Sequence, residues 1–263
     1  CWAFRLARPT VTCEDDSEGR GMTSSRRSEV FDDGLTLEVM EDADAIAVRG
    51  ANWIAATLTG ASADHGRCVL AISGGRSPWP MFRRLANDPS VPWSQVHIVQ
   101  IDERIAPLGH PDRNWTEAIG VFGSVLPQDQ LHAMPVEDDD LDAACVRYAH
   151  VMESLAGNAG LCIAHLGLGA DGHTASLFPD DSILDVHNRT VALTGAVHAG
   201  RRRMSLTHLG LSQFEHVLWQ VQGAEKSDML ARLLAGDTSI PAARVRRDTA
   251  LVMADAASTG QAN

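Results

Sequence analysis

Residues 161–179 read LCIAHLGLGADGHTASLFP. The stretch opens on the apolar run Leu161, Cys162, Ile163 and Ala164, then passes into a loop of glycines, an aspartate, a histidine and two hydroxyl residues. A short apolar run that ends in glycines predicts a buried strand followed by a turn. A turn alone has no need of an imidazole, so Asp171 and His173 are also candidates for chemistry. In open α/β sheets ligands bind beyond the carboxyl ends of the strands, where this loop would stand.

The same grammar recurs on both sides. Apolar runs predict strands at 68–72, 96–101, 161–166, 217–221 and 250–253, with shorter ones near Leu131 and at 204–207. Between them, amphipathic patterns predict helices over 42–58, after Pro78, after Asn114, over 141–155, up to Phe214 and over 224–234. Strands that alternate with helices imply a three-layer α/β/α fold on a mostly parallel, Rossmann-like sheet. The loops after Ile72, Ile101 and Leu166 then leave the sheet at one edge and can share a site. Residues 22–263 read as a single domain. Residues 1–21 are polar and unpatterned, and read as an extension ahead of a start at Met22.

Composition narrows the function. The chain has 263 residues, 44% of them hydrophobic, which suffices for a sizeable core. No apolar run approaches the ~20 residues of a membrane span, and the beginning lacks the apolar centre of a secretory signal. A net charge of −12 argues against nucleic acid or an anionic membrane as partner. The five cysteines are scattered, without the close pairs of a zinc site or redox dithiol, which predicts a reducing, cytoplasmic setting. Assembly is bounded only to a monomer or small homo-oligomer. An anionic ligand would need a positive pocket built against the overall charge.

Four segments can build one. In SGGRSP, Ser73 to Pro78, two glycines between a strand and a helix let backbone N–H groups curl round an anion. Ser73, Gly74, Gly75, Arg76 and Ser77 are therefore candidate phosphate ligands, and the pattern is not that of a nucleotide loop. In the segment from Asp102 to Trp115, Asp102 and Arg104 could position a substrate or polarise a carbonyl, and Asn114 could bond sugar hydroxyls. An ordinary ion-pair cluster with a helix cap explains these residues equally well. In the opening stretch, His173 can exchange a proton near neutral pH and Asp171 can orient it. No third ligand of suitable spacing accompanies the pair, so acid/base chemistry without metal or cofactor is expected. Finally, Lys226 is the only lysine in a chain that otherwise uses arginine, which singles out a compact ammonium just after Gly223. The run Arg201 to Arg203 could be a solvated patch, or a phosphate pocket could recruit one of its members.

Taken together and in order, these segments resemble the 6-phosphogluconolactonases of the glucosamine/galactosamine-6-phosphate isomerase superfamily. The resemblance runs through Ser73 to Pro78; Asp102 to Arg104 with His110 and Asn114; Gly167 to Pro179; Arg203 before an S-x-T run; and Gly223 with Lys226. It implies the sugar-phosphate isomerase/deaminase fold and hydrolysis of 6-phosphogluconolactone in the oxidative pentose phosphate pathway. His173 would activate water, Arg104 and N–H groups near Gly172 would meet the oxyanion, and Arg76, Arg203 and Lys226 would hold the phosphate. Two positions depart from the pattern. Arg113 stands where a serine is usual, which bears on the sugar contacts, and Arg202 where a proline is common. A related deaminase would continue the DGH core differently from Thr174 to Phe178. A sugar-phosphate sensor would need a DNA-binding module, for which residues 22–42 are too short and acidic.

Overall fold

The computed structural model describes residues 10–12, 27–157 and 161–260. In chain order its elements are β1 (Thr10–Thr12), β2 (Arg27–Val30), β3 (Thr36–Met40), α1 (Ala43–His65), β4 (Cys68–Ile72), α2 (Trp79–Ala86), β5 (Val96–Gln100), β6 (Asp102–Arg104), α3 (Asn114–Phe122), β7 (Leu131–His132), α4 (Leu141–Ala156), β8 (Leu161–Gly167), β9 (Val191–Leu193), β10 (Arg203–Leu206), α5 (His208–Leu211), β11 (Phe214–Val221), α6 (Ser227–Leu234) and β12 (Ala250–Asp255). The main sheet has the order β1-β2-β3-β12-β11-β8-β4-β5-β7. From β3 to β7 every pairing is parallel, and only β1 and β2 run against their neighbours.

The apolar runs form the middle of this sheet because both of its faces are covered. Along β4, Cys68, Leu70 and Ile72 pack with Ile54 of α1, Phe82 of α2 and Phe122 of α3, while Val69 and Ala71 point to the opposite core with Tyr148 of α4 and Leu233 of α6. A strand alternates its side chains, so a strand buried on both faces must be apolar at every position. This is the expected three-layer α/β/α architecture. The free thiols of Cys68, Cys145 and Cys162 are buried in it.

Several boundaries differ from the sequence expectation for local reasons. Helix α1 begins as expected, with the Asp42 carboxylate accepting from the Ala45 N–H at 2.8 Å, but continues to His65. Its apolar stripe fades after Leu58, yet nothing stops the helix until Gly66 turns left-handed at φ 72°. The predicted strand at 204–207 exists as β10 but joins a separate antiparallel sheet of order β6-β10-β9. Strands β1, β2, β3, β6 and β9 are additional to the expectation. Of the anticipated extension, residues 1–21, only Thr10–Thr12 is described, lying antiparallel to β2; the rest falls outside the described residues. Among the described residues no helix is long and apolar enough to cross a membrane.

Candidate active site

Because β4, β5, β8 and β11 are parallel neighbours, the loops that follow them meet at one edge. There, Ser73 to Pro78 after β4, Gly167 and Leu168 at the end of β8, and Gln222 and Lys226 after β11 surround a pocket of about 140 Å³, floored by His165 and Gln220. That is below the roughly 300–1,000 Å³ of pockets for drug-sized ligands, and it suits a small anionic group. Arg76 and Lys226 supply its positive charge. Gly74 has no room for a side chain, since a Cβ would lie 1.8 Å from the Asn114 Oδ1. A larger cavity of about 200 Å³ lies elsewhere, between β2, β3 and α6, and holds none of the residues singled out in the sequence.

Beyond β8 the chain turns tightly: the Gly169 N–H donates to the His173 carbonyl and the Gly172 N–H to the Gly169 carbonyl. The turn brings Asp171 and His173 together. Asp171 Oδ1 lies 2.5 Å from His173 Nδ1 and also accepts the His173 backbone N–H at 3.1 Å. Burial raises the Asp171 carboxyl, but these bonds from His173 outweigh it and hold the group below the usual carboxylate range. An ionised Asp171 accepts only, so Nδ1 carries the proton and Nε2 is left as the basic atom. Gly169 is required here, because a Cβ would meet the imidazole at 2.1 Å. Of the N–H groups near Gly172, expected to meet an oxyanion, those of Gly172 and His173 are spent inside the turn.

His173 packs on the Phe178 ring with centroids 4.4 Å apart. Phe178 also stacks with His198 at 3.7 Å, and the Arg203 guanidinium lies 5.5 Å from its centroid. Arg203, expected beside the phosphate loop, thus stands on the His173 side, 3.9 Å from Asp102, and does not line the pocket. The His198 imidazole is held by the buried Asp181 carboxylate at 2.8 Å. Burial raises Asp181, yet the bonds from His198 and from the Ile183, Gly195 and Ala196 N–H groups bring it down to about 2.

Several polar side chains of the segment after β5, Arg104 expected at the oxyanion among them, bond within the protein. Asp102 is buried and accepts from the Ser176 hydroxyl at 2.5 Å and from Asn114 Nδ2 at 3.3 Å. Asn114, expected to reach sugar hydroxyls, is turned inward against Gly74 and Asp102. Glu103, fully buried, accepts from Gln100 Nε2 and from the N–H groups of Arg104, Asn114 and Trp115, at 2.8 to 2.9 Å. Two of those donors are the unpaired first N–H groups of α3, so the carboxylate pins that helix start. Arg113 pairs with Glu103 at 3.1 Å and donates to the Ala106 carbonyl. Arg104 donates to the Asp112 carbonyl at 2.7 Å. His110 and Asp112 meet Arg201 in the same outer cluster.

Sequence reasoning missed His165, Gln220, Phe178 and His198. A single imidazole inside an otherwise apolar strand was the available signal for His165.

The family model for glucosamine-6-phosphate isomerases/6-phosphogluconolactonase matches residues 41–253. A 6-phosphogluconolactonase of Pseudomonas putida is 30% identical over 225 residues, covering 83% of this chain and 90% of its own length. A 6-phosphogluconolactonase of a Nostoc species is 29% identical over 212 residues, covering 76% of this chain and 85% of its own. The crystal structure of 6-phosphogluconolactonase from Thermotoga maritima superposes with a TM-score of 0.75 at 26% identity, over 83% of this chain and 98% of that one.

Proposed function

The chain belongs to the glucosamine-6-phosphate isomerase/6-phosphogluconolactonase family, and on that premise we propose that it hydrolyses 6-phospho-D-glucono-1,5-lactone to 6-phospho-D-gluconate in the oxidative pentose phosphate pathway. The observation that carries the reading is the Asp171–His173 pair, on the same loop edge as a small pocket lined by Arg76 and Lys226.

Nε2 of His173 takes a proton from water as the oxygen attacks C1, and Asp171 steadies the imidazolium that forms. The charge gathering on the carbonyl oxygen falls to Arg203, whose guanidinium lies over the ring against which His173 packs. The imidazolium then returns the proton to the departing ring oxygen. The phosphate, held by the Ser73–Ser77 loop with Arg76 and Lys226, fixes the sugar so that C1 meets the water. Three buried free thiols support a reducing, cytoplasmic setting.

The direct test offers the protein both 6-phosphogluconolactone and glucosamine-6-phosphate, following acid release from one and ammonia from the other. Acid release alone is the expected result. Ammonia without lactone hydrolysis would move the chain to the deaminase side of the family.

Lys226 is tested separately. Changing it to alanine, or to arginine, should lower kcat/KM for the phosphorylated lactone far more than for gluconolactone. A charge-assisted phosphate contact is worth about 1.5–3 kcal/mol, and a planar guanidinium does not reproduce the ammonium's point contact. An unchanged ratio between the two lactones would remove Lys226 from the phosphate site.

A further inference from the structure

The floor of the pocket is a hydrogen-bond chain with one fixed end. The Ser77 carbonyl can only accept, so the Gln220 group 3.0 Å from it is the amide NH₂. The Gln220 Oε1 then faces His165 Nε2 at 3.1 Å, which must carry the proton. Nδ1 of His165 is left as an acceptor and takes the Ser73 hydroxyl proton at 2.8 Å. The order of protons is thereby set from backbone to pocket, and Ser73 turns only lone pairs toward the space that the phosphate would enter.

A phosphate dianion also offers only lone pairs. If Ser73 rotates to donate to it, Nδ1 of His165 is orphaned in a fully buried place. If the imidazole changes tautomer, either Nε2 faces Gln220 Oε1 or, after an amide flip, Gln220 Oε1 faces the Ser77 carbonyl. Every rearrangement of the existing protons sets two acceptors against each other or leaves one buried acceptor empty. One more proton resolves the conflict, either on Nδ1, which lets Ser73 donate to the phosphate, or on a phosphate oxygen, which donates to Ser73.

We infer that His165 is a positioning residue that couples phosphate binding to the uptake of one proton from solvent, shared along the line from phosphate through Ser73 to His165. The inference rests on the pocket being the phosphate site. His165 itself is neutral before binding, since burial drives its imidazole down to about 4 against the opposing bond with Gln220. The charged groups around it are Arg76 and Lys226 at the pocket, which a bound phosphate neutralises. On the helices packed against this face of the sheet, Arg49 of α1 pairs with Glu38, and Arg83 and Arg84 of α2 pair with Glu117 and Asp44. The Phe82 ring closes the remaining side, 5.0 Å from the imidazole. No carboxylate is hydrogen-bonded to His165 among the described residues, so the anion that would favour its protonation is the ligand.

The experiment is calorimetric titration with 6-phosphogluconate in two buffers of different ionisation enthalpy, between pH 7 and 8.5, where a phosphate monoester with a second pKa of about 6 is mostly dianionic. The expected result is a net proton uptake that is largest at pH 7 and falls toward pH 8.5, with an apparent Kd that rises with pH. His165→Leu lets Ser73 donate without an orphaned partner and should bind with uptake near zero and a flatter pH profile. Ser73→Ala removes the shared hydroxyl and should also lose the uptake, so the test survives if the core variant folds poorly. His173 is present in all three proteins and cannot account for a difference among them. Equal uptake in all three, or none in the wild type while binding is measurable, would overturn the coupling. Absence of binding by the wild type would overturn the phosphate reading itself, and the coupling with it.

Discussion

Replacing His173 with alanine is expected to lower kcat for 6-phosphogluconolactone by about 10²–10⁴-fold, the usual cost of losing a positioned acid/base. The expectation rests on the bond from His173 Nδ1 to Asp171, which makes Nε2 the one basic atom of the pair. The loss should fall on kcat rather than on affinity for 6-phosphogluconate, because the pocket is lined by other residues. Asp171→Asn should also lose activity, since an amide can turn its NH₂ toward Nδ1 and select the tautomer with the proton on Nε2. The lactone opens spontaneously, so the rates belong at mildly acidic pH with the uncatalysed rate subtracted. The thermal midpoint should hardly move, since His173 and Asp171 are both partly exposed. A His173→Ala protein with wild-type kcat would refute the assigned chemistry.

Changing Arg113 to serine, the residue usual in the family pattern, is expected to destabilise the fold by about 3 kcal/mol. Both members of the Arg113–Glu103 pair are almost completely buried, at 2% and 0% side-chain exposure. Removing one partner of such a pair leaves a buried charge uncompensated, which typically costs about 3–5 kcal/mol. The low end applies because Glu103 keeps its four N–H donors. For a chain of this size, that corresponds to a fall of roughly 6–12 °C in thermal midpoint. Neutralising the carboxylate as well, with Glu103→Gln, should cost less than the sum of the two changes. Unaltered melting of Arg113→Ser would show that the ion pair adds nothing to stability.

Arg113 also illustrates the limit of reading a sequence. Its departure from the family pattern bore on sugar contacts when read along the chain, yet its side chain lies in the core against Glu103 and Glu137. Asn114 and Asp102 were candidates for the substrate; in the structure Asp102 accepts from both Asn114 and Ser176. In DER, as in the arginine run, residue type alone could not separate a ligand from a strut. Both use the same groups, and only the direction of the side chain distinguishes them.

What the sequence determined by itself was local or periodic. Apolar runs separated by helical patterns were enough for a parallel sheet covered on both faces, because a strand buried twice must be apolar throughout. Asp171 and His173 lie two residues apart inside a glycine turn, so their pairing needs no distant partner. The tertiary structure alone decided what depends on residues far apart in the chain. His165 meets Ser73, 92 residues away, and Gln220, 55 residues away, only because β4, β8 and β11 are neighbours in register. Arg203 belongs with Phe178 rather than with Lys226 because β10 pairs with β6 outside the main sheet. Sequence patterns carry which face of an element is apolar, whereas the partner of a buried polar group is set by strand order and register. The proton order on the pocket floor therefore became visible only once the strands stood side by side.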